Sequence, residues 1–293
     1  MSASPRTPVH LRIAHMSDPH FGTVVPAVRS ALLGELQMHP PDLIMLTGDI
    51  TQRARRAQFE EARRFLQALP GVPCLVLPGN HDLPLFDVFT RLVKPYGHYR
   101  RYVSQQLEPS FLDERVAVFC VDATSRLRHK DGALTVEQIE STARRLARVD
   151  APFRLVATHQ PLAAVVAADR RNVAHGAAQA LDRWIAAGAD LFLGGHIHLP
   201  YCIEIGTADL RQSAVLLQAG TCLSSRVRNG IPNSYNLVTL QRYGTERRMT
   251  IERRDFDAAS GRFVMALQHE AASLMNRERT RINGWRLAAQ SAA

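Results

Sequence analysis

The segment LFLGGHIHLP, residues 191–200, ends an apolar run in two glycines and then sets His196 and His198 two residues apart. In an extended backbone residues i and i+2 point to the same side. Two imidazoles so placed could grip one ion or two adjacent ions. Four further short motifs carry related chemistry. SDPHFG supplies Asp18 and His20 at the same spacing, TGDI supplies Asp49, PGNHDL supplies Asn80, His81 and Asp82, and THQP supplies His159. Five of the chain's 12 histidines fall in these motifs, a regularity that scattered surface histidines would not give. Singly, each residue has a plain structural use: a helix cap for Asp18, a turn for Asp49 or Asn80, a satisfied core histidine for His159. Five such coincidences would have to occur together for the whole set to be structural.

The set is chemically coherent. Asp18, Asp49, Asn80, His20, His159, His196 and His198 offer two carboxylates, an amide oxygen and four imidazoles. This mixed N/O field without thiolate suits Mn, Fe, Zn, Ni or Co, with Mn or Fe preferred, over a structural cysteine–zinc site. Seven donors exceed the needs of one catalytic ion but suit two divalent ions sharing a carboxylate. Two ions roughly 3.5–4 Å apart can hold a bridging hydroxide and clamp a phosphoryl group for in-line attack. Gly194 and Gly195, and likewise Gly79 before Asn80 and His81, are expected to bend the backbone toward the site.

The elements that must position these residues alternate along the chain. LRIAHMSD, DLIMLTGD, VPCLVLPGNHD, RVAVFCVDAT, FRLVATHQP and ADLFLGGHIH read as apolar strands. PAVRSALLGELQMH, AQFEEARRFLQAL, TVEQIESTARRLARV and AAQALDRWIAAG carry helical spacing,. Thr135 is the expected N-cap of the third of these helices, with Glu137 following it. Every motif trails a strand, and ligands of open α/β folds collect at the carboxyl ends of strands. From Tyr201 the alternation stops, and YCIEIG, SAVLLQAGT, SYNLVTLQR and RRMTIERRDF read as consecutive strands forming another sheet,. The expected fold class is α/β. One catalytic domain is expected over residues 1–265, followed by a helical tail over 266–293.

Composition sets the outer bounds. The 293 residues are 46% hydrophobic and 22% charged, ordinary for a globular chain with a large core. No apolar run reaches the roughly 18 residues of a membrane span, and MSASPRTPVHLRIAH lacks the apolar centre of a signal peptide,. A cytoplasmic location is expected. Cys74, Cys120, Cys202 and Cys222 show no close pairing and read as buried free thiols,. The net charge of +9 suits anionic partners,. The arginines are spread through helices, so no stable nucleic-acid partner is expected. A peripheral membrane contact through the basic C-terminal stretch and a homo-oligomer stay open.

The order D-x-H, G-D, G-N-H-D, H, G-H-x-H from Asp18 to His198 resembles the calcineurin-like metallophosphoesterase superfamily. The resemblance implies a four-layer fold in which a two-sheet β-sandwich is flanked by helices. It implies Asp18, His20 and His198 on one metal, Asn80, His159 and His196 on the other, and Asp49 bridging. His81 would not bind metal but would stabilise or protonate the leaving oxygen, with Asp82 beside it as an orienting group. A narrower stretch, QAGTCLSSRVRNGIPNSYNLV, is similar to a segment of bacterial class III cyclic nucleotide phosphodiesterases. It contains Gly220, Thr221, Arg226, Arg228, Asn233, Ser234, Tyr235 and Asn236. Either this loop borders the site and an arginine meets the substrate phosphate, or its polar side chains satisfy backbone groups in a structural turn.

Farther along the stretch after His159, Arg170, Arg171, Asn172 and His175 could read a nucleotide or lipid-linked phosphate, or could be solvated. The resemblance makes the chain a phosphoesterase of a small phosphorylated substrate, first a 3′,5′-cyclic nucleotide. The alternatives are a pyrophosphatase or phosphomonoesterase acting on a nucleotide-sugar or lipid-linked substrate and, more remotely, a non-catalytic interaction module.

Overall fold

The computed structural model describes residues 9–128, 130–206 and 212–272. Two six-stranded mixed sheets face one another, with helices on their outer sides. The first half of the chain lays down β1 (Val9–Met16), α1 (Pro26–Met38), β2 (Leu43–Thr47), α2 (Arg56–Ala68) and β3 (Cys74–Leu77). Two short helices, α3 (Val88–Val93) and α4 (Gly97–Tyr102), lead to β4 (Ser110–Leu112) and β5 (Val116–Cys120). Then come α5 (Val136–Arg148), β6 (Phe153–Ala157), α6 (Ala177–Ala186) and β7 (Leu191–Gly194). The remaining strands are β8 (Tyr201–Gly206), β9 (Ser213–Gln218), β10 (Ser234–Tyr243), β11 (Glu246–Asp257) and β12 (Arg262–Ala272).

Strands with both faces covered need apolar residues at successive positions. All five residues of β2 are buried. Leu43 and Met45 enter the core between the sheets, whereas Ile44 and Leu46 pack beneath Leu32 and Leu36 of α1 and Phe59 and Phe65 of α2. The second sheet repeats the device. Val116, Val118 and Cys120 of β5 face the inter-sheet core, and Ala117 and Phe119 face α5 and α6. Trp184 of α6 is fully buried, and its Nε1–H donates to the Ile139 carbonyl of α5 at 3.0 Å. Truncation of such a side chain costs about 3–5 kcal/mol.

The sheet orders are β12-β11-β10-β1-β2-β3 and β4-β5-β6-β7-β9-β8. The strands after Tyr201 therefore do not form a sheet of their own. β8 and β9 join the second sheet, while β10 lies antiparallel to β1 over seven residue pairs and carries β11 and β12 with it. Hydrophobic periodicity marks a strand but not the edge it joins. Residues 266–272 also depart from expectation, since they continue β12 against β11. The Ala-, Leu- and Gln-rich composition there favours helix, and ladder pairing overrides it. The rest of the expected helical tail, 273–293, lies outside the described residues.

Two smaller expectations are corrected. Thr135 Oγ1 does cap α5, but the reciprocal partner is Gln138, not Glu137: Gln138 N–H donates to Thr135 Oγ1 at 3.1 Å and Thr135 N–H to Gln138 Oε1 at 3.0 Å. The cysteines are free, but only Cys120 and Cys222 are buried: Cys202 is half-buried, and Cys74, at the start of edge strand β3, is exposed. Among the described residues no helix is long and apolar enough to cross a membrane.

Candidate metal centre

The five motifs follow β1, β2, β3, β6 and β7, so they meet where the carboxyl ends of the two sheets adjoin. Backbone bonds stitch the turns together within each sheet. Asp18 N–H donates to Gly48 O and His20 N–H to Asp49 O, both at 3.1 Å, and Gly195 N–H donates to His159 O at 2.9 Å. Other bonds cross between the sheets, among them His159 Nδ1 to the Thr47 carbonyl at 2.7 Å and His196 N–H to Asp18 Oδ2 at 2.8 Å.

The side chains gather into two clusters, Asp18–His20–His198 and Asp49–His159–His196, whose donor atoms lie within 4.8 Å of one another in each. In the first, Asp18 Oδ1 is 3.2 Å from His198 Nε2 and 3.6 Å from His20 Nε2. In the second, His159 Nε2 is 3.2 Å from both Asp49 Oδ1 and Asn80 Oδ1. The other oxygen of Asp49, Oδ2, is 3.6 Å from His20 Nε2, so this carboxylate stands between the clusters.

Electron-pair donors that converge without intervening protons repel unless a cation lies among them. His159 donates Nδ1–H to Thr47 O, which leaves Nε2 as the nitrogen facing two oxygens, protonated in the metal-free pocket and offering its lone pair once a metal displaces that proton,. Among the described residues Asp18 Oδ1 and His196 Nδ1 are buried without a hydrogen-bond partner. The protonation states agree. Burial alone would raise Asp18 and Asp49, but His198 and His159 respectively hold them well below the ordinary carboxylate range. Burial lowers His20 to about 4 and His196 to about 3, keeping both neutral and competent as ligands,. Burial would also lower His159, yet Asp49, Asp18 and the Thr47 carbonyl push it up to about 9. The pocket thus draws positive charge onto the lone pairs a metal would use, and the donor set fits a pair of divalent ions.

The backbone is strained where the donors sit. Seven non-glycine residues among those described have positive φ, and five of them are Asp18, His20, Asp49, His196 and His198. Asp, Asn and His tolerate this left-handed region best, and such strain concentrates at functional sites. The expected division of labour is thereby reversed. Gly79 has φ −114°, and Gly195 is likewise outside the left-handed region. Both are needed for closeness. A Cβ at Gly79 would strike the Asp49 backbone and carboxylate, and one at Gly195 would strike Ser17 Oγ.

Asp82 departs from its expected role. Its Oδ2 accepts Ile50 N–H and Gly79 N–H, and its Oδ1 accepts Thr51 N–H and Thr51 Oγ1–H, at 2.7–3.0 Å. Four donors exhaust a carboxylate's lone-pair sites. Asp82 braces the Asp49 turn against the Asn80 turn, and the carbonyl that orients the His81 ring is Gln52 O, 2.9 Å from Nδ1.

A cavity of about 310 Å³ opens over the clusters, lined among others by His81, Lys130, Asn172, Arg226 and Arg228. Arg226 serves the first cluster twice. Its carbonyl meets His198 Nδ1 at 2.6 Å, and its Nη1 lies 3.2 Å from His20 Nε2 and 3.1 Å from Gln52 Oε1. Arg228 lines the cavity with Nη1 committed to Asp169 and the Ile197 carbonyl, each at 3.0 Å. The neighbouring polar residues of that loop hold backbone. Asn233 Nδ2 donates to Thr221 O and Ser224 O, and Thr221 Oγ1 donates to Asp18 O at 2.6 Å.

His175 does not join the cavity lining. It is half exposed and bonded to Asp131 at 2.6 Å and Arg128 at 2.9 Å. Sequence reasoning missed Gln52, Lys130 and the Thr47 carbonyl. Gln52 lies three residues after Asp49 and could have been sought there; a lone lysine and a backbone oxygen carry no local signal.

Fold and site define a two-sheet α/β sandwich with paired N/O donor clusters at the sheets' carboxyl ends, the architecture of a metallophosphoesterase. The chain belongs to the calcineurin-like phosphoesterase family, whose profile matches residues 11–200. It is 27% identical over 161 residues to a Synechococcus protein described as a probable cyclic nucleotide phosphodiesterase, covering 52% of this chain and 59% of that protein. It is 33% identical over 81 residues to a glycerophosphodiester phosphodiesterase of Enterobacter lignolyticus, covering 24% and 29%. The matched segments thus span well under two thirds of these relatives. In fold the chain is similar to a purple acid phosphatase from yellow lupin seeds (TM-score 0.64, 13% identity, 97% of this chain and 59% of that one). It is also similar to PhoD (TM-score 0.62, 11% identity, 92% and 70%).

Proposed function

We propose that the chain is a dinuclear metal-dependent phosphodiesterase whose first substrate class is 3′,5′-cyclic nucleotides. The observation that carries this reading is the position of Asp49, with one oxygen on each donor cluster. Asp18, His20 and His198 would hold one ion, Asn80, His159 and His196 the other, and Asp49 both. When bound, two such ions supply an activated water at neutral pH and neutralise charge on a phosphoryl group.

The chain's own residues would do the rest. Lys130, Arg226 and Arg228 at the cavity give an electropositive mouth that attracts an anionic diester,. Arg226 Nη1 is placed to meet a phosphate oxygen above the first cluster,. The Gln52 carbonyl orients the His81 ring, and from that position the imidazole would give a proton to a departing alkoxide. The activities named for the two relatives, on cyclic nucleotides and glycerophosphodiesters, share a phosphodiester bond. That shared bond supports a diester over a monoester or pyrophosphate. The complete donor set supports an enzyme over an interaction module.

The test is a chelated protein reloaded with Mn, Fe, Zn, Ni or Co. It is assayed on cyclic AMP, cyclic GMP, a glycerophosphodiester, a nucleotide-sugar and nitrophenyl phosphate. The reading expects two ions per chain and the highest kcat/KM on a cyclic nucleotide. Higher kcat/KM on the glycerophosphodiester would keep the diester class and replace the substrate. Preference for the monoester or nucleotide-sugar would overturn the class.

A further inference from the structure

Helix α3 is built inside out. Its single buried residue is Arg91, whose guanidinium donates to three backbone carbonyls, of Arg126, Ser125 and Pro84, at 2.7–3.1 Å. Its apolar residues face solvent: Val88 is 61% exposed, Phe89 75%, Leu92 45% and Val93 68%. Phe86 just before the helix and Leu127 on the adjoining loop are each 81% exposed. Arg126 Nη1 donates to Leu92 O at 3.2 Å, so the loop lies directly beside the helix. Six large apolar side chains on one surface expose on the order of several hundred Å², the size at which a patch marks a contact.

The surroundings are cationic. Arg53 lies over the Phe86 ring at 5.7 Å, and Lys94, Arg126, Arg128 and Lys130 are exposed around the same elements. The nearby acids are engaged. Asp87 caps α3 through Thr90, and Asp131 is paired with Arg128 and His175. The patch also adjoins the candidate metal centre: Phe86 is five residues beyond His81, and Lys130 lines the 310 Å³ cavity.

We infer that α3, with Phe86 and Leu127, is a docking face for an anionic lipid surface, onto which it would bring the cavity mouth. Apolar side chains ringed by Lys and Arg match acyl chains beneath acidic headgroups. The same charge argues against two other occupants. A second copy meeting this face by two-fold symmetry would bring each cation against cations of its twin. The chain's own C-terminal stretch carries Arg277, Arg279, Arg281 and Arg286 against one acid, Glu278, over residues 277–286, and would meet the same repulsion.

The test is co-sedimentation of the full chain with phosphatidylcholine vesicles, with and without about one third phosphatidylglycerol, at low and high salt. The variants are F86S/F89S and R53E/K94E. All six positions of the patch are exposed, so folding should persist, and thermal unfolding with turnover of a soluble aryl phosphodiester checks it. The inference expects binding to anionic vesicles, weakened by salt. The serine pair should lose at least about tenfold in partitioning. The charge pair should lose about fivefold or more per cation removed. Four outcomes would overturn it: no binding to anionic vesicles; serine variants that pellet like the wild type; a wild-type dimer in gel filtration that the serine pair dissolves; and binding that appears only after removal of residues 273–293.

Discussion

Two pairs of residues at i, i+2 spacing contribute to the candidate metal centre, and they are used differently. Asp18 and His20, after β1, both serve the first cluster. His196 and His198, after β7, are divided: His196 joins Asp49 and His159, and His198 joins Asp18 and His20. All four residues have positive φ, so neither pair is an extended strand end with side chains on one side. The difference lies in what each turn meets. The His196 N–H is bonded to Asp18 Oδ2, which seats the β7 turn against the β1 turn, and the two rings of that turn enter different clusters. Equal spacing therefore does not imply a shared ion, and the two clusters become distinguishable targets for mutation.

Asp49 sits in the second cluster with its Oδ2 3.6 Å from His20 Nε2 of the first, so its removal should give the largest effect. Asp49→Ala is expected to lower metal content at both sites and turnover by at least about 10³-fold, with the fold retained. Metal analysis beside circular dichroism checks this, and two ions with full activity would take Asp49 out of the bridge. His81 belongs to neither cluster. His81→Ala should keep both ions and lose about 10²–10⁴-fold in turnover, more for a ribose leaving group than for nitrophenolate. An equal loss on both substrates together with a missing ion would make His81 a ligand.

Asp82 acts on the turns that carry Asp49 and Asn80. Asp82→Ala would leave four donors without their acceptor, and the expected cost is about 3 kcal/mol. In a chain of this size that reads as a fall of roughly 6–12 °C in Tm. An unchanged Tm with a shifted pH profile would return Asp82 to His81. Arg226 marks the first cluster alone. Arg226→Gln keeps the backbone carbonyl on His198 and should raise KM about tenfold with metal content unchanged. Loss of one ion would instead show that the guanidinium positions His20. The smallest effect is expected at His175, which forms an exposed pair with Asp131. His175→Ala should change stability by less than about 0.5 kcal/mol and leave KM unaltered. A raised KM would bring the 170–175 segment into the substrate path.

The identity and order of the seven side chains that the fold brings together were legible in the chain, because each motif is a few residues long and each trails an apolar strand. The alternation of strands and helices up to His198 was legible for the same reason. Buried strands and amphipathic helices print their periods locally. The assignment of strands to sheets was not, since β1 accepts β10 from more than 220 residues away and nothing in either strand names its partner. β12 went unseen because its composition favours helix and only the ladder to β11 makes it a strand.

At the site, residue types were set by sequence and their roles by contact. Asp82 is a brace because the N–H groups of Ile50 and Thr51 reach it from across the sheet. His159 presents Nε2 because Thr47 O, 112 positions earlier, holds Nδ1. The glycines are there for close approach, and the left-handed turns fall on the clustered carboxylates and imidazoles themselves. Local sequence fixes which donors a turn can offer. Which lone pair faces which neighbour depends on backbone atoms that only the packed sheets bring within reach.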